Sequence, residues 1–176
     1  MLPHKIGELM SILDLPVISR IRRNHGLEHA SLTLLSNRKP TLRLTGISFS
    51  GGFFVFGEVE TSELRSVVIQ ALSLMQNGEK QLAVHPNCGT NFVASGVVAG
   101  LLAWLGMVGA KDRRDKVERL PLIITLVTLA FIYTRPLGPI IQEHLTTSGE
   151  PGSLKIVDIF PVQVGNFCLH RVVTTD

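Results

Sequence analysis

From Phe92 to Ala110 the chain runs 19 residues without a charge or a proline. At ~1.5 Å per residue a helix of this length reaches roughly 28 Å, close to the ~30 Å apolar thickness of a bilayer. Leu120 to Thr134 is a second such run, and continued through Arg135, Pro136 and Pro139 to Ile141 it too reaches spanning length. Arg135 would then send its charge to the headgroups or into a cavity. A chain of 176 residues, only 18% of them charged, has little else with which to cover two such helices. The runs therefore read as a transmembrane hairpin, and they account for a mean hydropathy of +0.31.

The flanking sequence has other periodicities. Pro16 suits the first position of a helix running to about Ser36, whose apolar stripe uses Ile18, Ile21, Leu32 and Leu35. Thr41 to Ser48 and Phe53 to Val59 alternate and join through Ser50-Gly51-Gly52, which predicts a β-hairpin. Ser62 to Gln76 reads as a helix stopped by Asn77-Gly78, and Gln81 to Val84 as a short strand. Leu154 to Phe160 and Val162 to Val173 read as strands in need of the hairpin as a partner. A short helix is expected over Ile6 to Leu13. No uninterrupted apolar stretch follows Lys5, so no signal peptide is expected. The expected fold class is α+β: a mixed domain over 1–91, a two-helix transmembrane hairpin over 92–145, and C-terminal strands over 146–176 that complete the first domain.

Within the first long helix stands His25-Gly26-Leu27-Glu28-His29, an H-x-x-E-H pattern. Residues four apart share a helix face, so both imidazoles can reach one metal ion, with Glu28 beside them to take a proton from water. This is the inverted form of the H-E-x-x-H zinc-hydrolase helix, the inverzincin signature. A catalytic zinc keeps three protein ligands and one open position. His85, in the turn-rich loop before the apolar runs, is the expected third ligand. Cys88 is a candidate fourth, and would close the site into a structural one. Glu58, Glu60 and Glu63 are the reserve ligands. Asn24, Asn87, Thr90 and Asn91 are candidate oxyanion donors as well as ordinary turn residues. Gly26 costs the helix about 1 kcal/mol relative to alanine, which suggests a close approach by another segment. Gly96 and Gly100 form a G-x-x-x-G pair, expected to serve helix packing. Two cysteines, Cys88 and Cys168, give no disulfide framework.

The blocks Asn24-His25-Gly26-Leu27-Glu28-His29-Ala30 and His85-Pro86-Asn87-Cys88-Gly89-Thr90-Asn91, in this order ahead of the apolar hairpin, resemble an uncharacterised bacterial integral-membrane family. Its members carry N-H-x-x-E-H-A and H-P-x-C-G-T elements, and some are described as metal-dependent enzymes. The resemblance implies that His25, Glu28, His29, His85 and Cys88 belong to one site.

These readings converge on a membrane-embedded zinc hydrolase of peptidase type with one Zn²⁺, Glu28 being the general base. The alternative is a scaffold or interaction protein with a closed His/Cys zinc site. Expected partners are the lipid bilayer and a peptide or protein substrate, and a homo-oligomer is compatible. A net charge of +3 is too mild to argue for nucleic acid. Five Lys/Arg within Lys111–Arg119 favour a cytoplasmic loop, whereas Arg20, Arg22 and Arg23 resist export of the N-terminal domain. The second signal was given more weight, which places the site on the cytoplasmic side of a bacterial inner membrane.

Overall fold

The structure is a computed structural model that describes residues 12–165 and 167–176. The helix expected over Ile6 to Leu13 lies almost wholly outside them. Two compact units emerge, one made of the chain up to His85 together with Gln142–Asp176, the other of Pro86–Ile141.

In the first unit, helix α1 (Pro16–Arg38) begins on a proline that needs no N–H partner. Strands β1 (Thr45–Phe49) and β2 (Gly52–Phe56) form the expected hairpin, shorter at both outer ends. Helix α2 (Thr61–Gln76) stops at Asn77, and Gly78 takes the positive φ of +100° that lets the chain turn away. Strands β3 (Lys155–Val164) and β4 (Phe167–Thr175) complete an antiparallel sheet of order β1-β2-β4-β3. The C-terminal strands therefore do pair with the early hairpin. Pro161 sits on β3, an edge strand, where a missing N–H costs no ladder bond.

Both long helices lie on one face of this sheet. Leu27 and Leu35 of α1 and Leu64, Val67 and Val68 of α2 are fully buried, as are Phe53, Val55 and Val172 of the sheet. Burial of each such side chain contributes about 1.5–3 kcal/mol. On the other face Phe49 and Phe54 pair at 5.3 Å, with the Arg171 guanidinium over both rings.

Gln81 to Val84 is not a strand. Lys80–Ala83 is a 3₁₀ turn, closed by Leu82 N–H on Glu79 O and Val84 N–H on Gln81 O. The three apolar residues fit a strand by composition, but burial of Ala83 against α1 requires only a single turn.

The second unit holds α3 (Gly89–Met107), α4 (Arg113–Tyr133) and the short α5 (Leu137–Ile141). Among the described residues α3 alone is long and apolar enough to cross a membrane unaided, and α4 qualifies only when joined across a bend to the segment after it. The break falls at Thr134-Arg135-Pro136, so the second apolar run is not one continuous helix. Its packing also departs from expectation. A Cβ on Gly96 or Gly100 would meet nothing within 4 Å among the described residues. The seam with α4 instead uses Ser95, Ala99 and Gly106, on a different stripe. Thr134 Oγ1 donates to Ser95 Oγ at 2.8 Å, and Gly106 makes room for Ile123. The chain returns to the first unit at Gln142, opening with Gln142–Thr146, a single π-helical turn.

Candidate metal centre

Helix α1 presents His25, Glu28 and His29 at i, i+3 and i+4, and backbone segments of the first unit close around them. Strand β1 meets Glu28. Gly46 leaves the space that its carboxylate fills, since a Cβ there would lie 2.3 Å from Oε1. Ser48 Oγ donates to Glu28 Oε2 at 2.5 Å, and Glu28 is 4% exposed. The carboxylate is therefore held by β1. Arg23 reaches Asp176 at 2.7 Å.

The imidazoles are pinned by carbonyls. His25 Nδ1 lies 2.9 Å from Thr146 O, and His29 Nδ1 lies 2.8 Å from Ala83 O. A carbonyl only accepts, so each Nδ1 carries the proton and donates, which puts the lone pair of the neutral ring on Nε2. Metal-ligating histidines are oriented in just this way. The two ring centroids are 4.3 Å apart, and each ring offers a nitrogen within 4.8 Å of the other's. Gly26 lets the orienting segments in. A Cβ there would stand 2.2 Å from Ser148 O and 3.2 Å from Ala83 Cβ, so the close approach inferred from sequence is present.

His85 is brought next to the pair, its ring centroid 5.7 Å from that of His29. The fully buried Gln142 brackets its backbone. His85 N–H donates to Gln142 Oε1 at 2.8 Å, and Gln142 Nε2 donates to His85 O at 3.1 Å. One π-helical turn thus serves two imidazoles, since it carries both Gln142 and Thr146. Cys88 forms no disulfide among the described residues, and its Sγ accepts from the Thr90 N–H at 3.4 Å, capping α3. Within the first unit, His25 and His29 offer ring nitrogens within 4.8 Å of each other, and His85 stands beside the pair.

The remaining candidates have other tasks. Glu63 pairs with Lys39 at 2.6 Å, and Glu58 and Glu60 are exposed. Asn24, fully buried, donates to Phe49 O at 2.8 Å and accepts from Thr174 Oγ1 at 2.7 Å, which locks α1 to the sheet. Asn91 donates to Pro86 O and packs against Gly138. Gln142, Ser48, Gly46 and the two carbonyl acceptors were not singled out in the sequence. Gln142 alone left a trace there, as the polar residue that ends the apolar stretch Leu137–Ile141.

Residues 20–159 match the family described as "Domain of unknown function (DUF6391)", which is most of the chain. The chain belongs to this family. An uncharacterized protein of Picosynechococcus sp. (strain ATCC 27264 / PCC 7002 / PR-6) is 33% identical over 156 residues, covering 81% of this chain and 73% of that protein. No solved structure matches this DUF6391 member. The matched range includes the histidine helix, the His85–Cys88 turn and both apolar runs.

Proposed function

We propose that this DUF6391 protein is a membrane-embedded, zinc-dependent hydrolase of peptidase type, with its site on the His25–His29 face of α1. The observation that carries the reading is the pair of Nδ1–H bonds to Thr146 O and Ala83 O, which put the lone pair of each neutral imidazole on Nε2, beside a buried carboxylate. Two imidazoles joined by a thiolate or a third imidazole are a borderline-soft set that suits zinc. His25 and His29 would hold the ion, with His85 as the third ligand and the fourth position left to water. Bound there, zinc lowers the pKa of water towards ~7 and polarises a carbonyl.

The residues do the rest. Glu28 accepts the proton of the attacking water, and Ser48 and the space above Gly46 hold its carboxylate in place for that transfer. Gln142 sets His85 through its backbone. Helix α3, with Phe92 and Trp104 exposed, supports a membrane location, because so apolar a face is costly in water. Glu28→Gln should keep metal and lower peptide or ester turnover by about a hundredfold or more. Loss of metal in that variant would remove Glu28 as base.

One observation favours a second reading. If Cys88 and His85 both bind, four ligands close the site and it ties the chain together without catalysis. Chelation should then unfold the protein, and Cys88→Ser should loosen metal without opening any hydrolytic activity.

A further inference from the structure

Behind the histidine-bearing face lies a cleft of about 560 Å³, built wholly within the first unit by Arg22, the Lys80–Val84 turn and the Glu143–Glu150 segment. It shares walls with the candidate metal centre. Ala83, whose carbonyl holds His29, lines the cleft, as does Thr147, the neighbour of the residue that holds His25.

Arg22 is the residue that gives this cleft a chemistry. Its Nη2 donates to His144 O at 3.2 Å, and Ser148 N–H donates to its own carbonyl at 2.9 Å, so the side chain is fixed at the wall. Its Nε is buried and has no acceptor among the described residues. The guanidinium carries five N–H donors, and those not engaged by His144 O are the ones it can offer to an acceptor in the cleft. The charges around it narrow the choice. Lys80 pairs with Glu150 at the rim, and Glu143 also lines the cleft. Two carboxylates against two fixed cations and His144 disfavour a phosphate dianion and tolerate a single negative charge. The planar guanidinium fork matches a carboxylate.

We propose that this cleft is a binding site for the carboxylate of a small acid or a peptide chain end, with Arg22 as anchor and Lys80 at the rim. The binding needs no metal. It deepens the hydrolase reading in one respect, since a free peptide C-terminus is a carboxylate that a peptidase meets as substrate or product.

The test is a titration of the full chain with N-acetyl-dialanine and with its C-terminal amide, followed by calorimetry and by backbone amide resonances. The acid should bind saturably, the amide at least about tenfold more weakly, and the Ser148 and Gly149 resonances should move. Arg22→Gln should abolish the preference for the acid. Lys80→Gln, at an exposed rim position that the fold does not depend on, should weaken the acid about threefold. Propionate separates the two ligand sources: displacement by propionate assigns a small acid, displacement by the dipeptide alone assigns a chain end, and either supports the site. The double variant His25→Ala, His29→Ala should bind the acid unchanged, so failure of the metal reading would leave this one standing. Equal affinity for acid and amide, or a preference that survives both Arg22→Gln and Lys80→Gln, overturns the proposal.

Discussion

In the α+β unit the buried polar groups are pinned one by one: Asn24 to Phe49 and Thr174, Glu28 to Ser48, His25 and His29 to carbonyls, Gln142 to both ends of the His85 peptide. In the helical unit the seam between α3 and α4 is mainly small residues and methyl groups, with Thr134 on Ser95 and, at its far end, Arg119 on Gly106 O and Val108 O, while large apolar side chains face outward. The first kind of packing orients chemistry, because a hydrogen bond fixes direction as well as distance. The second fixes only separation. His25, Glu28, His29 and the His85 backbone are held by the first kind.

The same substitution should therefore have opposite outcomes in the two units. Gly26→Ala drives a methyl into Ser148 O, 2.2 Å from the ideal Cβ, and should cost about 3 kcal/mol or more, read as a drop in the unfolding midpoint together with weakened zinc binding. A melt within experimental error of the parent would break the contrast. Gln142→Ala comes next. Loss of the bracket on His85 should cost about 1–3 kcal/mol and about tenfold or more in zinc affinity, measured by competition with a chelator. A smaller effect is expected at His170, 3% exposed on β4 and bonded to Thr61 Oγ1 at 2.9 Å. Burial holds its pKa below the ordinary histidine value, against the opposing pull of Glu60. The fold therefore prefers the neutral ring. Its contribution is complete above the unfolded value of about 6.5 and is lost as pH falls from there through the folded value. Melting temperature should fall with acidification through that window, and His170→Gln should flatten the slope. No cost is expected in the helical unit: Gly100→Ala meets nothing within 4 Å among the described residues and should stabilise by no more than about 1 kcal/mol.

That contrast also explains what the sequence could tell. Local periodicity was enough for α1, α2 and the hairpin, since each buries a stripe or an alternating face that residues i+3, i+4 or i+2 define. It was enough as well for the histidine pair, whose geometry is a property of one helix. The orienting partners were invisible because they are backbone: Thr146 and Ala83 act through carbonyls that any residue possesses. Gln142 lies 57 residues from His85, a pairing that only the fold creates. The Gly96/Gly100 stripe misled because a G-x-x-x-G spacing marks a smooth face without saying which face meets α4. Gln81–Val84 misled because three apolar residues suit a strand and a buried turn equally.

X-ray absorption at the zinc edge of the zinc-loaded full chain, measured beside its His25→Ala, His29→Ala double variant, addresses the metal centre most directly. The account predicts imidazole nitrogens at ~2.0 Å in the parent, with a light atom from solvent in the remaining position and no retained ion in the variant. Zinc that washes off the parent, or that stays in an unchanged shell when both histidines are gone, would contradict it.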